Sequence, residues 1–176
     1  ARALNAGYRP SEIVFTADLF DHAALAMLRE HPVPVNLGSS DMVEQYARLE
    51  PRGELGSEIV LRVNPGFGHG HDRRVNTGGE QSKHGIWHED LSTVVARARR
   101  LGLEVTGLHT HTGSGSDLEN LTRTCAAMRP FPRTIGGGLK TISAGGGLPI
   151  PYHAGEARFD VARFTSAWRE TKAGIE

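Results

Sequence analysis

Two histidines that stand one residue apart are the clearest candidates for chemistry in this sequence. His109 and His111 lie in the stretch GLHTHTGSGSD, between an apolar run and a run of glycines and serines. Side chains alternate along a strand, so both imidazoles are predicted to point to the same side. They could bind a metal ion, or one of them could stack on a flat cofactor whose phosphate is bound by Ser114, Ser116 and nearby amides.

A second glycine run, Gly145, Gly146 and Gly147, follows another short apolar segment. Glycine lets the backbone approach a ligand closely, and exposed amides favour an anion. The run could therefore complete a phosphate site together with Ser114. A tight turn without a ligand accounts for three glycines equally well.

The metal hypothesis finds little further support. A barrel hydrolase built on His109 and His111 would need ligands from later strands, and only one histidine follows them. The stretch HGHD at residues 69–72 could bind a metal, but such stretches are more typical of a solvated loop. His84 and His88 are four residues apart but lack the glutamate of H-E-x-x-H, which argues against zinc. We predict no metal site.

The elements that must position these residues alternate along the chain. Short continuous apolar runs rich in β-branched residues predict parallel strands that are covered on both faces. Amphipathic segments between them predict helices. The predicted strands are Ile13–Thr16, Pro34–Leu37, Ile59–Val63, Val105–His109 and Thr141–Ala144. The predicted helices are Asp21–Glu30, Asp41–Leu49, Leu91–Leu101, one opened by the capping box Ser116–Glu119, and one whose apolar face holds Val161, Phe164 and Trp168.

Two α/β folds fit this order of elements. A full (β/α)8 barrel of the TIM type typically needs about 250 residues, so about five parallel βα units would form an incomplete, partial barrel. A doubly wound open sheet of five strands would be complete at this length. In either fold the residues that follow the strands meet on one rim, so His109–Ser116 and Gly145–Gly147 are expected to lie close together.

One segment, Met128–Lys140, breaks the pattern. Its sequence MRPFPRTIGGGLK should continue the helix opened near Ser116, but Pro130 and Pro132 forbid a regular helix interior. Either the helix ends near Met128 and a loop follows, or the segment is a local sequence anomaly.

The composition is that of an ordinary globular domain. The 176 residues are 38% hydrophobic and 23% charged with a formal net charge of zero, which gives no indication of binding to nucleic acid or an anionic membrane. No apolar run approaches the roughly 20 residues of a spanning helix. The single cysteine, Cys125, is typical of a reducing compartment and is expected to be a buried hydrophobe in a cytoplasmic protein.

Five stretches carry a family resemblance: IVFTAD, PVNLGSSDM, LRVNPGFGHGHDRRVNTGGEQSKHGIW, GLHTHTGSGSDLE and ISAGGGLPIPY. Together they resemble the diaminopimelate decarboxylase family, pyridoxal-phosphate enzymes of fold type III with an alanine-racemase-like barrel. The resemblance spans nearly the whole chain and is weakest at residues 129–139. It is less specific for the substrate, because relatives that act on ornithine, lysine or arginine share the barrel.

The resemblance implies a role for each matching residue. His111 would be the catalytic residue that stacks on the pyridoxal ring of pyridoxal 5'-phosphate, and Ser114 would bind the cofactor phosphate. Gly145, Gly146 and Gly147 would form the phosphate loop. His109 would support the end of its strand.

Other positions receive no catalytic role from the resemblance. Arg62 and Asn64 would line the barrel. None of Lys83, Lys140 and Lys172 matches the family's Schiff-base lysine, which lies on an earlier strand, and the family's E-P-G-R segment has no match here. We therefore expect residues 1–176 to be a central fragment of a pyridoxal-phosphate-binding barrel domain that is inactive alone and exposes two strand edges.

The activity that the resemblance implies is decarboxylation of meso-diaminopimelate to lysine and carbon dioxide. The implied partners are a small amino-acid substrate and a second subunit, in a homodimer with shared active sites, and neither nucleic acid nor a membrane is expected. Three alternatives stay open: a decarboxylase of another basic amino acid such as D-ornithine or D-lysine, a metal-dependent barrel hydrolase, and a non-catalytic binding module.

Overall fold

The computed structural model describes residues 1–49, 56–69 and 76–173. Its strands are β1 (Phe15–Thr16), β2 (Val35–Leu37), β3 (Glu58–Asn64), β4 (Ile86–Trp87), β5 (Glu104–His109) and β6 (Thr141–Ser143). Its α-helices are α1 (Arg2–Asn5), α2 (His22–Glu30), α3 (Ser40–Ala47), α4 (Leu91–Arg100), α5 (Leu118–Met128), α6 (Phe131–Ile135) and α7 (Val161–Ala173). Short 3-10 turns lie at Pro10–Glu12 and His88–Asp90. No helix in the described ranges is long and apolar enough to cross a membrane.

The sheet decides between the two predicted folds. Its strands are all parallel and run in the order β1-β2-β3-β5-β6, and the two-residue β4 pairs with the end of β3. A doubly wound sheet reverses its strand order at a switch point, whereas here the strands follow one another in chain order. The predicted partial (β/α)8 barrel of about five βα units is therefore confirmed, and each predicted strand is present within two residues of its expected bounds.

The two faces of the sheet carry different side chains. The face under the helices is apolar, because Val35, Leu37, Ile59, Leu61, Val63 and Leu108 are buried there with the inner faces of α3 and α4. The alternate residues of the same strands point to the opposite, inner face, and most of them are polar. They include Thr16, Asn36, Arg62, His109 and Ser143. The period-two alternation of the strands thus separates the core from the candidate site.

The segment after α5 contains a helix that was not predicted. α5 ends at Met128, and the short α6 begins at Phe131, so the break caused by the prolines is confirmed. Pro132 lies in the first turn of α6, where its missing N–H costs no helical hydrogen bond. Gly136, with φ of 72°, ends α6 in the left-handed conformation, and Arg99 of α4 donates to the carbonyl of Ile135.

Two predicted helix details are wrong. The N-cap of α5 is Asp117 rather than Ser116, because the Asp117 carboxylate accepts the Asn120 amide at 2.8 Å. The Ser116 hydroxyl is buried and donates to the carbonyl of His69 instead. On α7, Val161 is 56% exposed and does not belong to the packed face, whereas Trp168 packs against the core.

Candidate functional site

The inner face of the sheet borders a cavity of about 560 Å³. Each of the strands β1, β2, β3, β5 and β6 contributes to its wall, and the loops that follow β5 and β6 close one end. The lining residues are Val14, Thr16, Asn36, Val60, Arg62, His109, His111, Thr141, Ser143, Gly145 and Gly146. The volume is within the usual range of small-molecule sites.

His109 is a buried, neutral imidazole in the wall of this cavity. Its Nδ1 lies 3.0 Å from the Ser143 hydroxyl oxygen, which also accepts the Gly145 amide at 3.2 Å. Burial, followed by the charge of Arg62 and the neighbouring His111, lowers the pKa of His109 from 6.5 to about 4. His109 contacts Ser143, and Ser143 in turn accepts a hydrogen bond from the first glycine of the loop. This chain of contacts is consistent with the predicted supporting role of His109.

His111 is oriented by contacts to its ring and to its carbonyl. The Gly146 amide donates to Nδ1 at 3.1 Å, so the neutral ring carries its proton on Nε2. The hydroxyl of Thr77 donates to the His111 carbonyl at 2.9 Å, and Arg62 Nη2 reaches the same oxygen at 3.5 Å. Burial and the charge of Arg62 lower the pKa of His111. The ring is therefore fixed in orientation and uncharged near neutral pH.

The glycine loop packs against the loop after β5 so closely that side chains are excluded. Gly145 has φ of 72°, and a Cβ there would lie 2.3 Å from the Thr110 carbonyl oxygen. Gly147 has φ of 87°, and a Cβ there would lie 2.1 Å from the Gly113 carbonyl oxygen and 3.1 Å from the Cα of Ser114. The Gly115 amide donates to the Gly147 carbonyl at 2.9 Å. Glycine is needed at both positions, for φ and for space.

The predicted site residues are brought together on one rim. His111, Gly145 and Gly146 line the cavity, and Ser114 and Gly147 lie against each other just beyond the lining. Their roles toward a cofactor stay predictions.

Arg62 and Asn64 behave differently although they share one strand. Arg62 lines the cavity as expected. Asn64 does not: its Oδ1 accepts the amides of Gly66 and Gly79 at 3.1 Å and 2.9 Å, and its Nδ2 donates to the Gly79 carbonyl at 2.9 Å. It also borders a separate cavity of about 290 Å³ with Trp87. Asn64 thus links Gly66 after β3 to Gly79 before β4 and does not line the main site.

Asp18 is a site residue that sequence reasoning missed. It lies two residues after the end of β1, and its carboxylate lies 2.7 Å from His84 Nδ1 and 3.8 Å from Arg62 Nη1. The only local signal was its position after a predicted strand, in the motif FTAD. Its partners are 44 and 66 residues away in the chain, so no local pattern could identify them.

His84 and His88, which were considered as a metal-binding pair, have other partners. His84 bonds Asp18, whereas His88 packs on Trp87 with ring centroids 4.6 Å apart. Within residues 1–49, 56–69 and 76–173, no three His, Cys, Asp or Glu side chains form a group that could hold a metal ion. His71 and Asp72 lie outside the described residues.

The three lysines occupy different surroundings. Lys140 pairs with Glu58 at the start of β3, the opposite end of the sheet from the rim. Lys83 lies 3.6 Å from Asp18, with its side chain 76% exposed. Lys172 is in the last turn of α7.

A parallel half-barrel with this glycine-lined rim defines a cofactor-binding domain of the (β/α)8-barrel class. The model of the pyridoxal-dependent decarboxylase family, pyridoxal binding domain, matches residues 1–174. The chain belongs to this family.

Similar proteins narrow the comparison. The chain is 45% identical to the diaminopimelate decarboxylase of Escherichia coli, over 99% of the chain and 41% of that protein. It is 47% identical to the diaminopimelate decarboxylase of Streptomyces coelicolor, over 95% of the chain and 38% of that protein. A crystal structure of diaminopimelate decarboxylase superposes with a TM-score of 0.88 at 45% identity, covering 99% of this chain and 41% of that one. The chain therefore spans about two fifths of the length of these relatives.

Proposed function

We propose that this chain is the pyridoxal-binding part of a diaminopimelate decarboxylase, a carboxy-lyase that converts meso-diaminopimelate to lysine and carbon dioxide. The proposal depends above all on one arrangement: His111, with its ring held by the Gly146 amide, borders the same cavity as the glycine loop. The relatives at 45% and 47% identity, named diaminopimelate decarboxylases, support this substrate.

The residues present fit pyridoxal 5'-phosphate. The cavity has room for a small aromatic ligand. A Cβ at Gly145 or Gly147 would collide with the facing loop, so the rim is kept narrow by backbone alone. The neutral ring of His111 suits stacking on a flat ring, and the backbone around Ser114 suits a phosphate.

In the proposed reaction, the chain binds and orients rather than breaking bonds. His111 would stack on the cofactor ring, and Ser114 with Gly145–Gly147 would bind the phosphate. When bound, pyridoxal phosphate supplies an electron sink for the electrons left on the substrate α-carbon as carbon dioxide departs. Fixing the ring plane keeps the breaking bond aligned with the π-system, and this alignment is what His111 would contribute.

The direct test is binding of pyridoxamine 5'-phosphate, which has no aldehyde and so cannot react with lysine. We expect calorimetry to detect binding to the chain and to show weaker binding of pyridoxine, which has no phosphate. His111→Ala and Ser114→Ala should each raise the Kd by about tenfold, because each removes one contact worth about 1.4 kcal/mol.

Matched controls are available on the surface. His22 and Ser92 are exposed residues on α2 and α4, so His22→Ala and Ser92→Ala should leave the Kd unchanged. Equal affinity of the wild-type chain for pyridoxine and pyridoxamine 5'-phosphate would contradict a phosphate cradle at this rim.

The substrate is tested separately, in a longer protein that contains this chain. We expect carbon dioxide release from meso-diaminopimelate to exceed that from D-lysine and D-ornithine by at least about a hundredfold, because a site that pairs with polar groups rejects analogues that lack them. Preferred turnover of D-ornithine or D-lysine would assign the site to a different basic amino acid.

We further propose that the protein acts as a cytoplasmic homodimer with shared active sites. The resemblance to the family supports this, as do three exposed apolar side chains beside the rim, Leu148, Ile150 and Tyr152. The single, buried Cys125 fits a reducing compartment. Sedimentation velocity of a longer protein that contains this chain should give a dimer, and a monomer at micromolar concentration would contradict the proposal.

A further inference from the structure

A cluster of charged residues includes Arg62 of the cavity wall and lies outside the cofactor-binding residues described above. Asp18 is at its centre. Its carboxylate oxygens lie 2.7 Å from His84 Nδ1, 3.6 Å from Lys83 Nζ and 3.8 Å from Arg62 Nη1. The four residues come from three places in the fold: the end of β1, the inner face of β3, and the loop before β4.

Both donors to the His111 carbonyl lie on segments that Asp18 contacts. Arg62 Nη2 reaches that carbonyl at 3.5 Å, and the Thr77 hydroxyl donates to it at 2.9 Å. Thr77 belongs to the loop before β4, and the same loop carries His84, which bonds Asp18. Asp18 therefore contacts Arg62 directly. It is connected to Thr77 indirectly, because it bonds His84 in the same loop.

We propose that Asp18 is a positioning residue of the site: its carboxylate holds Arg62 and the loop of residues 76–85 in place, and these fix the backbone and ring of His111. This inference rests on the proposed function where it concerns cofactor binding. The contacts themselves do not depend on a ligand.

The charges around Asp18 indicate that it affects the geometry of the site more than the stability of the whole fold. Arg62 is buried, and in the described part of the chain Asp18 is its carboxylate partner. Partial burial opposes ionisation of Asp18, but the hydrogen bond of His84 and the charges of Lys83 and Arg62 together lower its pKa. The Asp18 side chain is 44% exposed, so its ion pairs are screened and should add little to global stability. Its loss should disturb geometry more than folding.

The test is Asp18→Asn in the full chain, because asparagine keeps the size and removes the charge. We expect hydrogen exchange of the Gly146 amide to accelerate by about tenfold relative to the amides of α4. The chemical shifts of the His111 ring nitrogens should also change, from values typical of the Nε2-protonated tautomer toward those of a mixture of tautomers. The Kd for pyridoxamine 5'-phosphate should rise by about fivefold.

Two further variants separate positioning from simple destabilisation. Asp18→Glu keeps the charge and should return Gly146 exchange to within about twofold of wild type. Glu12→Gln removes an exposed acid that pairs with Arg9 at 2.9 Å, and it should change none of the three readouts.

The outcomes separate this inference from the proposed function. Unchanged Gly146 exchange in Asp18→Asn, or an increase shared equally by the α4 amides, would overturn the positioning role. A selective increase in a chain that binds no pyridoxamine 5'-phosphate would support the positioning role and count against the proposed function.

Discussion

Neighbouring glycines in the rim loop place different demands on the backbone. A Cβ on Gly145 would lie 2.3 Å from the Thr110 carbonyl oxygen, and φ there is 72°. A Cβ on Gly146 would have no atom of the described residues within 4 Å. We expect Gly145→Ala to reduce the free energy of unfolding by about 1–3 kcal/mol, through a strained φ and a backbone collision. Denaturant unfolding without cofactor measures this.

Gly146→Ala is the matched control for that substitution. It lies next to Gly145 in the same loop, and its stability should stay within about 0.5 kcal/mol of wild type. Equal losses in the two variants would show that the loop does not have the packing described here.

His109 makes stability depend on pH. Its pKa in the fold is about 4, below the ordinary 6.5, so between these pH values the unfolded chain binds a proton that the fold does not. The contribution is complete above about pH 6.5 and is lost progressively as the pH falls to about 4, which amounts to roughly 3 kcal/mol. The difference in unfolding free energy between wild type and His109→Gln should shrink by this amount from pH 7 to pH 4.

An exposed histidine provides the comparison for that titration. His153 lies on the surface, and His153→Gln is the matched histidine-to-glutamine substitution at an exposed position. Parallel curves for wild type and His109→Gln would mean that His109 is not buried as described.

At the scale of elements, α5 depends on its cap. The Asp117 carboxylate accepts the Asn120 amide at 2.8 Å at the N-terminus of this helix. Asp117→Ala should reduce the free energy of unfolding by about 1 kcal/mol. Asp117→Asn should reduce it much less, because asparagine caps a helix as well as aspartate does. Thermal unfolding of the two variants checks this, and equal destabilisation would argue for a charge effect rather than a cap.

The strands were predictable because their cause is local. Apolar residues at alternate positions, such as Ile59, Leu61 and Val63, bury one face of the sheet, and residues after parallel strands meet on one rim. The nearness of His111 to the glycine loop could therefore be expected from the sequence.

Other features depend on partners distant in the chain. β4 has only two residues, too few for a hydrophobic pattern to predict a strand. It forms because it pairs with Val63 and Asn64 at the end of β3. Ser116 has the pattern of a cap, but its hydroxyl bonds the His69 carbonyl, 47 residues away. Asp18 acquires its role from His84 in the same way. Tertiary contacts override the local signal in each case.

At the scale of the whole molecule, the reactivity of the Cys125 thiol can be used to measure how α7 packs on α5. Cys125 on α5 is 1% exposed, and Thr171 of α7 donates to its carbonyl at 3.3 Å. Burial raises the pKa of this thiol to about 12, so little reactive thiolate forms. We expect an alkylating reagent to label the native chain at least about a hundredfold more slowly than the denatured chain.

Thr171→Val gives the matched test of that contact, because it keeps the shape and removes the hydroxyl. Faster labelling in this variant would show that α7 protects the thiol. Rapid labelling of the native wild-type chain would contradict the packing of α7 on α5.

The unequal faces of the sheet have a consequence for how such a protein can diverge. The side chains that keep the chain folded, such as Leu61 and Leu108, point away from the cavity, while Thr16, Asn36 and Ser143 face it and contribute little to the core. Substitutions at Thr16 or Asn36 can therefore accumulate at small cost in stability, whereas Ser143 and Gly145 are constrained by the glycine loop. A descendant of this domain could acquire a new ligand preference without first acquiring a more stable scaffold.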